Sequence, residues 1–207
     1  MALAHLRDAG VDDTPLLQSI DRSRRATVHK MIERDLNSPM TSSIGRLFDA
    51  VAALCGGADV STFEGQAAMW LESLADRGAA GRDEAIYPFA VDCGAGPAVV
   101  DTRPLIRAIA ADRLARVDPA VIARRFHRTL AAAATAVCKT IRESAELDRV
   151  VLSGGVFANA MLTAELETAL AVEGFEVYRH KIVPPGDGGL SLGQLAVAAA
   201  RGGAQES

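Results

Sequence analysis

Apolar residues recur at helical spacing through most of the first 148 residues. Ile44, Leu47 and Val51 share one face and predict a helix over 43–54. Asp118-Pro119 has the form of an N-cap followed by a first helical residue, and it predicts the start of a long helix. Thr14-Pro15 predicts another start, and residues 61–64 (STFE) have the form of a capping box.

The pattern then changes to short apolar runs separated by glycine turns. Runs at 86–91 and 98–100 predict a small hairpin. After it, residues 149–152 predict a strand, which is followed by a helix ending at Gly174, a second strand over 175–183 and a closing helix over 190–200. Strand, glycine loop and helix in repeated order predict a parallel sheet with ligands at its carboxyl edge.

Composition and charge restrict the classes of function. The 207 residues are 49% hydrophobic, which is typical of one globular domain or two small lobes. A net charge of −4 argues against a nucleic-acid partner, and the apolar runs are too short to predict a membrane span. The three cysteines are scattered and form no CxxC, and no secretory signal is visible, so we expect a cytoplasmic protein.

The most informative stretch is 153–159 (SGGVFAN), directly after a predicted strand. Gly154 and Gly155 would let a ligand approach the backbone closely, and the next helix would point its free N–H groups at that ligand. Asn159 could read a hydroxyl group or a base edge. A tight turn that binds nothing is the alternative, but the whole heptad favours a nucleotide.

Two further positions carry candidate chemistry. Asp187 lies among glycines in VPPGDGGL, and it is either a helix N-cap or a ligand for a hard cation. Asp49 lies one turn after Gly45 and is either a ribose-binding carboxylate or a solvent-facing residue. Glu64 is explained by the capping box. The four histidines share no metal-ligand spacing, which favours surface or core roles for them.

Five blocks of the sequence resemble a known family in order. They are 37–56 (NSPMTSSIGRLFDAVAALCG), 62–69 (TFEGQAAM), 126–130 (FHRTL), 153–159 (SGGVFAN) and 183–193 (VPPGDGGLSLG). Together they are similar to the C-terminal part of HypF, the carbamoyltransferase of NiFe-hydrogenase maturation. The resemblance implies an α/β fold, namely the second lobe of an actin/Hsp70/sugar-kinase fold, with a mixed sheet and a large helical portion.

The resemblance also implies a domain organisation. Residues 1–40 would be a helical lead-in segment, and residues 41–207 would form the C-terminal lobe. Within that lobe, a helical insert would span about 43–148 and a β-α-β-α nucleotide-binding part about 149–201.

The chemistry implied by the resemblance is carbamoyl transfer. HypF-family proteins cleave carbamoyl phosphate, make carbamoyl-adenylate from ATP and transfer the carbamoyl group to the C-terminal cysteine of HypE for cyanide ligand synthesis. Likeness to the threonylcarbamoyltransferase TsaD implies that Gly154, Gly155 and Asn159 contact adenosine, and that Asp49 contacts the ribose. It also implies that Asp187 binds a divalent metal (iron, zinc or magnesium). Gly65 is a further implied nucleotide contact, although its spacing from Asp49 differs from the TsaD pattern.

Two departures from the family pattern matter. The metal-binding His-x-x-x-His of the first lobe does not occur here, and neither do the acylphosphatase, zinc-finger and YrdC-like regions. Gly186 also stands where the family commonly has Asn. We therefore expect the chain to supply mainly the nucleotide-binding lobe, with no catalytic residue of its own, because the attacking thiolate would belong to HypE.

These departures set the expected partners and the alternatives. The expected partners are HypE and the missing HypF domains or their separate chain; the uncovered apolar face could also support a homodimer. One alternative is a fragment that binds a nucleotide or a partner without catalysis. The other is an O-carbamoyltransferase that acts on a small-molecule hydroxyl.

Overall fold

The computed structural model describes residues 1–58, 60–77, 85–94 and 96–203. In these ranges the helices are α1 (Ala2–Asp8), α2 (Arg22–Glu33), α3 (Ile44–Leu54), α4 (Gln66–Arg77), α5 (Arg103–Leu114), α6 (Pro119–Ala145), α7 (Ala160–Val172) and α8 (Leu190–Gly203). The strands are β1 (Ala90–Asp92), β2 (Val99–Asp101), β3 (Arg149–Leu152) and β4 (Glu176–Arg179). Within the described residues, no helix combines the length and the apolar character needed to cross a bilayer.

The core lies around α6, the longest helix described. This helix packs against both α4 and α7, and α3 packs against α4. The rings of Phe48 and Phe126 meet edge to face, with centroids 5.0 Å apart, and both side chains are fully buried. The predicted starts of α3 and α6 are confirmed within one residue.

The strands form two small sheets. β1 and β2 form the predicted antiparallel hairpin, with Val91 opposite Val100. β3 and β4 pair in parallel, with Val150 opposite Val177, as the strand–turn–helix order predicts. Among the described residues these are two separate two-stranded sheets, one antiparallel and one parallel, and a sheet that mixes both directions, as the resemblance implies, is not observed.

The predicted second strand over 175–183 is too long. β4 ends at Arg179, because the chain turns back there and the carbonyl of Pro185 accepts a hydrogen bond from the Gly154 N–H at 2.7 Å.

Two predicted helix starts are wrong. Thr14-Pro15 lies in a turn, and the helix begins only after Asp21, whose carboxylate accepts the Ser23 N–H at 2.9 Å. The capping box over 61–64 does not form either. Instead α4 begins at Gln66, and the side-chain oxygen of Gln66 accepts the Thr62 N–H at 2.6 Å. Gln66 thus makes the reach-back bond that the pattern predicted for Glu64.

The lead-in segment contributes to the same core. Helix α1 buries Leu3 and Leu6 against α3 and α5, whereas α2 buries no residue completely. The domain boundaries at 40 and 148 stay predictions.

The N-cap of α6 gives a stability prediction. The carboxylate of Asp118 accepts the Ala120 N–H at 2.9 Å. We expect Asp118→Ala to lower the free energy of unfolding by about 1 kcal/mol, measured by urea denaturation, because an N–H at the start of the central helix loses its acceptor. Asp21→Ala, at the start of the exposed helix α2, is the matched control and should cost less. Equal losses in both variants would contradict the central role of α6.

Candidate functional site

Two turns meet where the parallel strands β3 and β4 end. The Gly154 N–H donates to the carbonyl of Pro185 at 2.7 Å, and Ser153 Oγ lies 3.1 Å from His180 Nε2. A Cβ built on Gly186 would come within 3.4 Å of Gly155 Cα. The two glycine-rich motifs predicted from the sequence are therefore in direct contact.

These turns and helix α8 enclose a cleft of about 620 Å³. Gly154 and Asp187 both line it, so the structure brings together two of the residues predicted to bind a ligand. The polar side chains in its lining also include Ser153, His180, Gln194 and Arg201. His180 was expected in a surface or core role, and the signal that could have placed it here is its position directly after β4.

Gly154 has a backbone conformation that requires glycine. Its φ is +106° and its ψ is 159°, in a region that residues with a Cβ rarely occupy. This conformation turns the chain from β3 into the 3₁₀ turn Gly155–Ala158, whose Phe157 N–H donates back to the Gly154 carbonyl at 3.1 Å. The first N–H groups of such a turn lack intrahelical acceptors and suit an anionic ligand.

Packing within the protein explains why glycines follow Asp187. A Cβ on Gly188 would lie 2.8 Å from Pro184 Cγ, and one on Gly189 would lie 2.7 Å from the Pro184 carbonyl oxygen. Close packing on Pro184 therefore excludes larger residues at both positions. Their small size alone does not indicate space reserved for a ligand.

Asp187 begins the 3₁₀ turn Asp187–Gly189, whose N-cap is Gly186. The N-cap interpretation of Asp187 is therefore wrong, and its carboxylate belongs to the lining of the cleft. In the part of the chain that the structure describes, no group of three or more His, Cys, Asp or Glu side chains could hold a metal ion. Asp187 could contribute one carboxylate ligand, and the remaining ligands would have to come from elsewhere.

Asn159 has an internal role that the sequence did not reveal. Its Oδ1 accepts the Leu162 N–H at 2.8 Å and caps α7, and its Nδ2 lies 3.0 Å from His127 Nε2. The residue is 7% exposed. Asn159 lies at the base of the 155–158 turn and is not among the residues that line the cleft. Its contact with adenosine stays a prediction.

The other two predicted nucleotide contacts lie on a different part of the molecule. Asp49 is on α3, where its carboxylate pairs with Arg46 at 3.0 Å. Gly65 precedes α4 with a φ of +76° and accepts the Met69 N–H. Neither residue lines the cleft. Their roles in binding also stay predictions.

Glu72, on α4, is a residue that the sequence analysis missed. Its Oε1 accepts the N–H groups of Ala160 and Met161, at 2.7 and 3.1 Å. A carboxylate at the first turn of α7 also interacts favourably with the helix dipole. Glu72 thus fixes the start of the helix that follows the SGGVFAN turn, from a position 88 residues earlier in the chain.

We expect Glu72→Gln to destabilise the fold by about 1 kcal/mol, because the hydrogen bonds to a charged acceptor become hydrogen bonds to a neutral one. Thermal unfolding of both proteins measures the change. The exposed Glu143 on α6 offers a control, and Glu143→Gln should leave the unfolding midpoint unchanged. A midpoint for Glu72→Gln equal to that of the wild type would contradict this assignment.

A second cavity, of about 720 Å³, lies between α4, α6 and α7. Its lining includes the carboxylates of Glu72, Asp76 and Glu165 and one opposite charge, that of Arg124. The excess of negative charge would repel the phosphates of a nucleotide. The smaller cleft beside Gly154 therefore suits an anionic ligand better.

The thiols of two cysteines are not activated. Cys55 is buried, and that burial raises its pKa to about 12. Burial also raises the pKa of Cys138. Both thiols are thus less acidic than a free cysteine, which disfavours a nucleophilic role for either.

Comparison with known proteins identifies the family. Residues 1–194 match the family model described as "Carbamoyltransferase, Kae1-like Domain, second subdomain". The chain belongs to the HypF carbamoyltransferase family. This confirms the family that the five sequence blocks indicate.

Curated relatives agree with this membership. The chain is 37% identical over 158 residues to carbamoyltransferase HypF of Synechocystis sp., which covers 76% of this chain and 19% of that protein. It is 35% identical over 201 residues to HypF of Rhodobacter capsulatus, covering 97% of this chain and 25% of the relative. The chain thus spans about a fifth to a quarter of the length of these HypF proteins.

Solved structures agree as well. A crystal structure of full-length HypF in its phosphate- and nucleotide-bound form matches 95% of this chain and 25% of that one, with a TM-score of 0.86 and 36% identity. HypF of T. kodakarensis matches the fold with a TM-score of 0.73 at 24% identity, over 93% of this chain and 24% of its own. The mixed helix and sheet content is therefore that of HypF proteins.

Proposed function

We propose that this chain is the nucleotide-binding part of a HypF-type carbamoyltransferase, and that it binds ATP and carbamoyl-adenylate in the cleft beside Gly154. The observation that carries the proposal is the contact between the SGGVFAN turn and the PPGDGG turn at the carboxyl ends of β3 and β4. Ligands of open α/β sheets commonly bind at this edge. The similarity to a nucleotide-bound HypF structure supports the choice of ligand.

The proposed reaction transfers the carbamoyl group to a thiolate. The sulfur of the C-terminal cysteine of HypE attacks the carbamoyl carbon, the bond between that carbon and the adenylate oxygen breaks, and AMP leaves with the electron pair. The cysteine proton has gone to solvent beforehand. This chain would orient the mixed anhydride and compensate charge on its phosphate through backbone N–H groups of the 155–158 turn.

Each predicted binding residue has a place in this proposal. Gly154 and Gly155 let adenosine approach the backbone, and Asn159 acts at the base of the same turn. Asp49 on α3 and Gly65 before α4 lie outside the cleft and would contact the ribose only where the nucleotide extends beyond it. A divalent metal, when bound, would neutralise phosphate charge, and Asp187 would supply one of its ligands.

We also propose that the chain is the second lobe of an actin/Hsp70/sugar-kinase fold and works with the first lobe in the cytoplasm. Helix α8 exposes a run of apolar side chains: Leu190, Leu192, Leu195 and Val197 are all more than half exposed. Such a surface commonly marks an interface. The relatives are about four times as long as this chain, so the additional polypeptide of a HypF protein is the proposed occupant.

The proposal is tested by reconstitution. The 207-residue chain is mixed with the remaining domains of a HypF protein, and carbamoyl-phosphate-dependent exchange between ATP and pyrophosphate is measured, together with labelling of HypE by radioactive carbamoyl phosphate. We expect both activities only in the mixture. As a positive control, the remaining domains are first shown to be active with their own second lobe. If the same domains stay inactive when mixed with this chain, the proposal is refuted. Exchange between ATP and pyrophosphate without labelling of HypE would indicate a hydroxyl acceptor. If the chain forms a dimer and does not bind the other domains, a second copy of the chain covers α8.

A further inference from the structure

His127 is a fully buried histidine on α6, inside the hydrophobic core. Its Nδ1 lies 2.7 Å from the carbonyl oxygen of Ala123, which can only accept a hydrogen bond. Nδ1 must therefore carry the proton, and Nε2 of the neutral ring is left as an acceptor. The local backbone thus selects one tautomer of this ring.

That acceptor faces the side-chain amide of Asn159. Nε2 lies 3.0 Å from Asn159 Nδ2, which donates the hydrogen bond. The amide is then oriented with Oδ1 toward the start of α7, where it accepts the Leu162 N–H at 2.8 Å. An amide rotated by half a turn would lose both interactions. His127 therefore fixes the orientation that caps α7.

Contacts of His127 connect α3, which carries Asp49, with the turn that follows Gly154. The ring of Phe48, next to Asp49 on α3, packs edge to face on His127 with centroids 5.3 Å apart. Asn159, on the other side, ends the 155–158 turn, and its N–H donates to the Val156 carbonyl at 3.1 Å. His127 thus lies between the Asp49 side and the Gly154 side.

We propose that His127 is a positioning residue for nucleotide binding: by accepting a hydrogen bond from Asn159, it holds the Gly154–Ala158 turn in its binding conformation. The inference rests on the proposed function of the cleft. His127 touches neither the cleft nor the reacting atoms, so it acts only through Asn159. The interaction works with the neutral ring alone, because a proton on Nε2 would place two donors face to face.

The surroundings of the ring set the direction of its pH dependence. Burial lowers the pKa of His127 below its ordinary value of 6.5. Glu72 on α4 and Glu165 on α7 oppose this shift, Arg124 on α6 adds to it, and α3 presents the uncharged ring of Phe48. Below about pH 6.5 the unfolded chain binds more protons at this site than the folded one, so its stabilising contribution is lost as the pH falls.

The test compares two variants of the 207-residue chain with the wild type. His127→Gln keeps an acceptor for Asn159, and His127→Leu removes it. ATP affinity is measured by calorimetry at pH 7.5, and the unfolding midpoint is measured at pH 7.5 and pH 5.8. We expect the Leu variant to bind ATP about tenfold more weakly, corresponding to the loss of roughly 1.4 kcal/mol, and the Gln variant to stay near wild type. The unfolding midpoint should fall further between pH 7.5 and pH 5.8 in the wild type than in either variant, because only the wild type can protonate this ring in the unfolded chain.

A control separates positioning from loss of stability. Thr129→Val alters another buried polar residue of α6, whose hydroxyl bonds to Arg125 and Tyr87 instead of α7. It should lower the unfolding midpoint without changing ATP affinity. The proposal is overturned if Thr129→Val weakens ATP binding as much as His127→Leu does, or if the His127→Leu variant binds ATP with wild-type affinity.

Nuclear magnetic resonance tests the positioning role independently of ATP. Histidine labelled with ¹⁵N should show His127 with its proton on Nδ1, and the backbone amide signals of 154–158 should shift in the Leu variant but little in the Gln variant. A proton on Nε2, or unchanged 154–158 signals in the Leu variant, would overturn the proposal. If the wild type shows the expected signals but binds no ATP, the proposed function fails while the positioning contact stands.

Discussion

Gly154→Ala is expected to weaken ATP binding by tenfold or more. The residue has a φ of +106°, so an added Cβ costs about 1 to 3 kcal/mol of backbone strain unless the turn changes its conformation. Nothing lies within 4 Å of that Cβ, so the strain comes from the backbone and not from a clash. Relaxation would displace both the hydrogen bond to Pro185 and the N–H groups of the 155–158 turn. Calorimetry with ATP measures the loss.

Gly10→Ala is the matched control for this substitution. Gly10 also has a positive φ, of +68°, and open space around its Cβ position, but it lies at the end of α1 and does not line the cleft. We expect it to lower the unfolding midpoint while ATP affinity stays at the wild-type value. Equal affinities for the Gly154 and Gly10 variants would show that the turn does not bind the nucleotide.

Asp187→Asn is expected to reduce carbamoyl transfer in the reconstituted enzyme by about a hundredfold or more, a loss of roughly 2.7 kcal/mol in transition-state stabilisation. The asparagine keeps the size of the side chain but removes its charge, and with it the ability to balance a cation near the phosphate. The fold should be unaffected, because Asp187 does not cap a helix and lines the cleft. Exchange between ATP and pyrophosphate and labelling of HypE are the measurements.

The control for this loss is another aspartate-to-asparagine change. Asp35 is exposed and has a φ of 51°, a conformation that asparagine tolerates well. Asp35→Asn should leave transfer unchanged. Full activity in the Asp187 variant would remove this carboxylate from the mechanism, and equal loss in both variants would indicate a general effect of charge.

The sequence pattern predicted those elements whose formation depends on neighbouring residues. β3 was predicted at its observed bounds, and α6 was predicted from its N-cap, because alternation, glycine turns and capping residues act over a few positions. The same patterns predicted a parallel pair, which brings the turns after β3 and β4 to one edge. The contact between Gly154 and the PPGDGG turn follows from that topology.

The role of Asn159 could not be predicted in this way. The glycines at 154–155 predicted a helix directly after them, but a 3₁₀ turn delays α7, so that Asn159 becomes its N-cap. Glu72 and His127 reach the same helix from 88 and 32 residues earlier in the chain. No local pattern records such distant partners. His127 was therefore interpreted as an ordinary surface or core histidine.

The most direct test of the central claim is a titration of the ¹⁵N-labelled chain with ATP, followed by the backbone amide signals. The account predicts that the largest shifts cluster at residues 153–155 and 186–189, on both sides of the cleft. Shifts confined to the acidic cavity around Glu72 and Asp76, or no shifts at millimolar ATP, would contradict it.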